Sequence, residues 1–173
     1  MQNIDLLNRL NRLDEDASLL FSKEDRLFLV IVGGSALVLQ KKLKRATDDI
    51  DVLEISSKLN DLIERYDINT RVATYISNFP YNFMDRIIKI EVGGRIIDFY
   101  TASLEDIVIS KLYSNREKDK LDLENEDILN SIDWDLLDSL AMDENETKQS
   151  SMNDRLYSEF LQSYCEYKER NKR

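Results

Sequence analysis

The sequence of 173 residues contains no histidine. This absence excludes catalysis by a histidine base and every zinc site that needs a histidine ligand. There is one cysteine, Cys165, which excludes an internal disulfide and favours a reducing cytoplasm. Carboxylates, amines, guanidinium groups and hydroxyls remain for chemistry, so carboxylates holding a hard metal ion are the first hypothesis.

Proline and glycine are also scarce, with one and four residues, which argues against a loop-rich β-sandwich. The longest apolar run, Leu27–Val32, is far shorter than the roughly 20 residues that span a bilayer. The N-terminus lacks a secretion signal, so we expect a cytoplasmic protein with no membrane contact. The net charge of −10 disfavours general attraction to nucleic acid, although a local basic patch is compatible with phosphate binding.

Apolar periodicity predicts an α/β (α+β) fold. It indicates a small mixed β-sheet with flanking helices in residues 1–102, followed by a helical C-terminal part in 103–173 packed on that core. Gly93-Gly94 between two apolar runs predicts a two-residue hairpin. The predicted strands are 27–32, 49–55, 70–76, 87–92 and 95–100, and the first helices are 4–21, 35–43 and 58–66.

Gly33-Gly34-Ser35 joins the first predicted strand to a helix. Backbone N–H groups at a helix start attract anions, and the missing glycine side chains let a phosphate come close. Ser35 adds a hydroxyl donor. A tight strand-to-helix turn without a ligand is the alternative interpretation of the two glycines.

Asp49 and Asp51 are two residues apart on a predicted strand, so both carboxylates project from one face. Carboxylates so placed repel each other unless a cation lies between them. Mg²⁺ (or Mn²⁺) would satisfy both and would also bind a triphosphate. The alternative is the exposed face of an edge strand.

The two motifs together resemble the minimal nucleotidyltransferases of the DNA polymerase β superfamily. Those proteins carry Gly-Gly or Gly-Ser after a strand, then a helix, then Asp-x-Asp on the next strand. Their third carboxylate comes from a later strand, where Asp98 is the best candidate. From the residues alone, Asp98 could equally be an exposed residue of the predicted hairpin. The resemblance implies an NTP substrate, with Gly33, Gly34 and Ser35 at the triphosphate and Asp49, Asp51 and Asp98 as catalytic metal ligands.

A narrower resemblance is to small bacterial nucleotidyltransferase-like proteins, including those of abortive-infection toxin–antitoxin systems. It rests on Ala46-Thr47-x-Asp49-Ile50-Asp51, on Lys111 followed by Arg116-x-Lys118-Asp119-x-x-Asp122, and on the segment 79–86. It implies nucleotide contacts for Lys111 and Arg116, an RNA (tRNA) or protein hydroxyl as acceptor, and a cognate protein partner. From the residues alone, Lys111 could equally border the core, and Arg116–Asp122 could be a solvated, ion-paired helix start.

Two other groups have open interpretations. The basic cluster Lys41, Lys42, Lys44 and Arg45 is either a solvated helix end or a phosphate-binding patch. The aromatic residues of the last predicted helix are more simply a packing stripe than a base-stacking platform.

The sequence leaves three functions. The first is a nucleotidyltransferase, the second is a catalytically inert binding module of the same fold that acts as an antitoxin-type interaction protein, and the third is a structural protein that interacts through its terminal helices. Because the enzyme usually needs a third carboxylate, we predict that Asp98 points at Asp49 and Asp51.

Overall fold

The computed structural model describes residues 2–172, which form two compact units. The first unit contains the chain up to Ala73 together with Ile87–Ala102. The second contains Thr74–Arg86 together with the chain from Ser103 onward. The division predicted from sequence placed residues 74–86 in the first part, whereas the structure groups them with the C-terminal helices. Among the helices of residues 2–172, none has the length and apolar character needed to cross a membrane.

A mixed β-sheet organises the first unit, as the sequence predicted. Within the described residues it has five strands in the order β3-β2-β1-β5-β4. The central strand β1 pairs antiparallel with β2 and parallel with β5, while β2–β3 is parallel and β4–β5 is antiparallel. The strands are β1 (Leu27–Val32), β2 (Ile50–Ile55), β3 (Ile68–Asn69), β4 (Ile88–Lys89) and β5 (Ile97–Thr101).

The central strand β1 is the apolar run of the sequence, and all of its residues except Phe28 are buried. Helix α2 (Gly33–Leu39) packs on β1 and β2, and α1 (Asn3–Ser18) packs on α2 and on α3 (Asn60–Ile63). The stripe predicted for α1 consists of Leu7, Leu10, Leu13, Ala17 and Leu20, and the structure buries Leu10, Leu13 and Ala17 fully. Leu6 is buried whereas Leu7 is only half-buried, and Leu20 lies beyond the helix and is exposed. Short 3₁₀ turns flank α3, so the helix predicted at 58–66 is divided into pieces.

Helices alone build the C-terminal part of the second unit. Helix α4 begins after Ser103, whose hydroxyl oxygen accepts the backbone N–H of Asp106 at 3.1 Å. The aromatic stripe Tyr157, Phe160, Tyr164 and Tyr167 is buried and therefore serves packing. The helices are α4 (Leu104–Leu112), α5 (Glu117–Leu123), α6 (Glu126–Leu129), α7 (Trp134–Met142), α8 (Thr147–Ser150) and α9 (Asp154–Asn171).

Three predicted strands differ from the structure. Residues 71–78 form 3₁₀ turns instead of a strand at 70–76, and β3 consists only of Ile68–Asn69. The side-chain carbonyl of Asn69 accepts the N–H of Arg71 at 3.1 Å, and such a local bond competes with continued strand pairing. The hairpin around Gly93-Gly94 is also longer than predicted, because residues 90–96 lie outside both strands.

Asp14 of α1 explains the long β4–β5 connection. Its carboxylate is fully buried and accepts the backbone N–H groups of Arg95, Ile96 and Ile97 at 2.8, 3.0 and 2.8 Å. These amides bond to α1 instead of to β4. A Cβ on Gly93 would lie 2.5 Å from Asp14 Oδ2, and the φ of Gly93 is +64°, so only glycine fits there without strain.

Asp14→Ala should lower the free energy of unfolding by about 3 kcal/mol, because three partly or fully buried amides lose their acceptor. Chemical denaturation of the full chain measures this loss. Glu15→Ala is the matched control, since Glu15 pairs with Arg95 of the same loop at 3.1 Å and both side chains are about half exposed. Its loss should stay below about 1 kcal/mol. Equal losses for the two variants would contradict the role of Asp14.

Candidate active site

The Gly-Gly-Ser and Asp-x-Asp motifs lie side by side in the first unit. Strand β1 ends at Val32, directly before Gly33, and Val32 is the register partner of Asp51 in β2. A Cβ on Gly33 would lie 2.9 Å from Asp51 Oδ2, and Gly33 has a φ of +65°. Both the backbone conformation and the approach of the Asp51 carboxylate therefore require glycine at this position.

Gly34 leaves space for the side chain of Arg45. A Cβ at this residue would lie 2.9 Å from Nη2 of Arg45, so the guanidinium group lies against the Gly34 backbone. Arg45 comes from the segment between α2 and β2 and also donates to the Ala46 carbonyl at 3.0 Å. The sequence suggested Arg45 only as one member of a basic cluster. Its proximity to the glycine pair singles it out from that cluster.

Ser35 has a different role from the predicted one. Its side chain is buried, and its hydroxyl donates to the Val32 carbonyl at 3.1 Å and accepts the N–H of Asp51 at 3.4 Å. The proton is thus directed at the end of β1. Ser35 joins β1, α2 and β2, and the predicted phosphate contact is not supported.

The two aspartates of the Asp-x-Asp motif lie in different backbone structure. Asp49 is half-buried in a bend one residue before β2, and its carbonyl accepts the Thr47 hydroxyl at 3.2 Å. Asp51 lies within β2, and its Oδ1 accepts Nδ2 of Asn69 at 2.9 Å. Asn69, on the neighbouring strand β3, was not predicted as a site residue. The sequence offered no signal for Asn69, because the apolar pattern predicts the neighbouring strand at 70–76, after this residue.

Asp98 does not join this site, so the prediction that it points at Asp49 and Asp51 is wrong. It pairs in register with Phe28, whereas Asp51 pairs with Val32. Phe28 and Val32 are four residues apart on β1, which is about 13 Å along a strand that rises about 3.3 Å per residue. Asp98 is half exposed and forms an ion pair with Lys89 at 2.7 Å.

The described residues do not place a third acidic side chain with Asp49 and Asp51. Over residues 2–172, no group of three or more aspartate, glutamate or cysteine side chains is arranged to hold a metal. Mg²⁺ needs fewer protein ligands than that when a nucleotide is bound, because it commonly uses one or two carboxylates together with substrate phosphates and waters. Asp49 and Asp51 are the two carboxylates that the sequence predicts for this purpose.

Lys111 and Arg116 take part in an ion cluster of the second unit. The Lys111 ammonium is 6% exposed and contacts Asp119 at 2.5 Å and Asp122 at 2.9 Å. Arg116 and the Ser114 hydroxyl also bond to Asp119, at 2.7 and 2.6 Å. This network joins the end of α4 to α5. The expectation that Lys111 is available for a nucleotide phosphate is therefore wrong, and the alternative of a solvated ion-paired helix start misses the burial of both aspartates.

The pKa of Asp119 is lowered in this cluster. Burial acts to raise it, but the charges and hydrogen bonds of Lys111, Ser114 and Arg116 outweigh burial. A carboxyl with a lowered pKa in the folded state contributes stability above its usual pKa of about 4, and this contribution is lost as the pH falls through the lowered value.

The segment 79–86 is held by a second ion cluster of the second unit. The Arg86 guanidinium donates to the fully buried Asp106, with Nη2 at 2.9 Å, and to Glu146 at 3.4 Å. Glu146 also accepts the backbone N–H of Asn82 at 3.2 Å. Burial raises the pKa of Asp106, while Arg86 and Ser103 act in the opposite direction. These contacts give the segment a structural role on α4.

Comparison with known proteins decides the family. The sequence model of the family DUF6036, described as "Nucleotidyltransferase of unknown function", matches residues 8–172. The chain belongs to this family. No match was found among curated proteins or among solved structures. The match covers residues of both units of this nucleotidyltransferase-family chain.

Lys111→Met should lower the free energy of unfolding by about 3–5 kcal/mol, because it leaves Asp119 and Asp122 as buried carboxylates without their central cation. Urea denaturation at pH 7 measures the change. Lys148→Met removes an exposed i,i+4 pair with Glu144 and should cost less than about 1 kcal/mol.

The pH dependence provides a second measurement. The wild-type contribution of Asp119 begins to decline as the pH falls below about 4 and is lost through the lowered pKa, so the difference in stability between wild type and Lys111→Met should narrow from pH 7 to pH 3. A constant difference over this range would contradict the ion-cluster interpretation.

Proposed function

We propose that this protein transfers a nucleotidyl group from an NTP to a hydroxyl of an RNA, such as tRNA, or of a protein, with Mg²⁺ (or Mn²⁺). One observation carries the proposal. The Asp51 carboxylate and the Arg45 guanidinium lie against two consecutive glycines, Gly33 and Gly34, at the end of the central strand. Family membership supports nucleotidyl transfer in general, and the metal, nucleotide and acceptor belong to the proposal.

The residues at this site divide the work of binding a nucleotide. Gly33 and Gly34 have no side chains, which leaves room for the Asp51 carboxylate and the Arg45 guanidinium to lie against them. Arg45 offers a planar set of N–H donors that suits phosphate oxygens. Asp49 and Asp51 would hold the metal ion. When bound there, Mg²⁺ would neutralise triphosphate charge and stabilise the leaving pyrophosphate.

The acceptor proposal rests on the narrower resemblance. Proteins similar in Asp49-Ile50-Asp51 and Arg116–Asp122 occur in toxin–antitoxin systems, and we propose the same setting with a cognate protein partner. Lys111 and Arg116 are not part of the proposed site, because both bond to Asp119.

A second candidate function is a catalytically inert binding module of the same fold. The position of Asp98 favours it, because the chain lacks the expected third carboxylate beside Asp49 and Asp51. A second metal on the attacking oxygen usually depends on such a residue. The module would bind a nucleotide or a protein partner without turnover.

Incubation with each labelled NTP, Mg²⁺ and total cellular RNA or protein separates the two functions. The enzyme transfers label to an acceptor, and Asp51→Asn should abolish the transfer. Asp98→Asn, a matched change on the same sheet that removes only an exposed ion pair, should retain it. Binding of NTP without label transfer to any acceptor would replace the enzyme by the inert module.

Nucleotide binding is measured independently by melting temperature. Mg²⁺ and NTP at about 100 times the dissociation constant should stabilise the wild type by about 2.7 kcal/mol. Asp51→Asn should remove this stabilisation and leave the protein without ligand folded. The same response in wild type and variant would contradict the metal site.

Arg45→Gln tests the proposed phosphate contact. The loss of a charge-assisted hydrogen bond worth about 1.5–3 kcal/mol should weaken NTP affinity at least about tenfold, as measured by calorimetric titration. Lys41→Gln, at an exposed member of the same basic cluster, is the control and should bind NTP like the wild type. Equal affinities for the wild type and Arg45→Gln would contradict this role.

A further inference from the structure

The short strand β3 is positioned by its pairing with Asp51. Its two residues, Ile68 and Asn69, pair in parallel with Ile50 and Asp51. Side chains of register partners lie on the same face of a sheet, and Nδ2 of Asn69 donates to Asp51 Oδ1 at 2.9 Å. After Asn69 the chain leaves the sheet in 3₁₀ turns. Strand β3 therefore ends at the residue that contacts the candidate metal ligand.

The orientation of the Asn69 amide is fixed by the backbone. The N–H of Arg71 donates to Asn69 Oδ1 at 3.1 Å, and only the oxygen end of an amide can accept that bond. The NH₂ end must then face Asp51. The turn at Arg71 and the donor to Asp51 are thus two parts of one arrangement.

We infer that Asn69 is a positioning residue that sets the direction of the Asp51 carboxylate for the metal ion. This inference rests on the proposed function. Oδ1 accepts the Asn69 amide while Oδ2 lies against Gly33, so the two oxygens have different surroundings. The Asn69 amide is a neutral donor, which restrains the carboxylate without adding charge. A carboxylate that is already restrained in this way loses less rotational freedom when it binds a metal ion.

The inference gives Asn69 a measurable effect on metal affinity. Removal of a residue that hydrogen-bonds to a metal ligand typically lowers the affinity for the metal by about 10–100-fold. Asn69→Leu keeps the approximate volume and removes the donor. Asn69→Gln keeps an amide on a longer side chain and should retain part of the affinity.

Mn²⁺ titration followed by electron paramagnetic resonance, with NTP present, is the test. Asn69→Leu should bind Mn²⁺ at least about tenfold more weakly than the wild type, with Asn69→Gln in between. The Mg²⁺ concentration for half-maximal label transfer should rise by a similar factor, while the rate at saturating Mg²⁺ changes less. Asn11→Ala is the matched control, because Asn11 makes one side-chain bond to Gly93 elsewhere in the first unit, at 2.8 Å. It should bind Mn²⁺ like the wild type.

The outcomes separate the two proposals. Wild-type Mn²⁺ affinity in Asn69→Leu, with the wild type itself binding, overturns the role of Asn69 and leaves the proposed function intact. No Mn²⁺ binding by the wild type overturns the proposed metal site and this inference together. The melting temperature without metal shows that each variant is folded, and Asn69→Ala serves as the second variant if the leucine does not fold. A purely structural Asn69 would lower that melting temperature without changing Mn²⁺ affinity.

Discussion

The pairing of Val32 with Asp51 is the contact on which the candidate site depends. Leu29 and Val30 pair with Ile55 and Glu54, and the register then shifts by one residue, so that Val32 pairs with Asp51. Without the shift, Val32 would pair with Val52. Since a one-residue slip exchanges the two faces of a strand, this irregularity decides that a carboxylate adjoins the end of β1. Gly33 at that end then leaves the space that Oδ2 of Asp51 occupies.

The aspartates of this fold meet different partners, and the partner decides what each can do. Asp51 accepts a hydrogen bond from the neutral amide of Asn69, and Asp14 accepts hydrogen bonds from three backbone N–H groups. Asp119 and Asp122 both form ion pairs with the buried Lys111 ammonium. Asp98, on an exposed position of β5, has only a surface pair with Lys89. Buried ionised groups need partners to remain charged, so Asp14, Asp119 and Asp122 are committed to the fold.

Membership in a nucleotidyltransferase family and the observed pair of motifs agree on the chemistry that the first unit supports. The missing third carboxylate changes what is expected of it. Under the proposed function, a site with Asp49 and Asp51 alone would rely on the nucleotide phosphates to complete the coordination of a single ion. Metal and nucleotide binding would then be mutually dependent, and the Arg45 guanidinium beside Gly34 would be more important for binding the phosphates.

The sequence by itself determined the α/β class, the strand Leu27–Val32, the presence of helix α1, the aromatic stripe of α9, and the motifs around Gly33 and Asp51, because these follow from local periodicity and short spacing. Only the tertiary structure showed which partners Asp98, Lys111 and Ser35 contact. Each of these depends on register or on partners distant in the chain: Phe28 opposite Asp98, Asp119 and Asp122 around Lys111, and Asp51 beside Ser35. The positions of Asn69 and Arg45 also required the tertiary structure. No local pattern shows that a parallel strand brings Asn69 to Asp51, or that the connection between α2 and β2 brings Arg45 to Gly34.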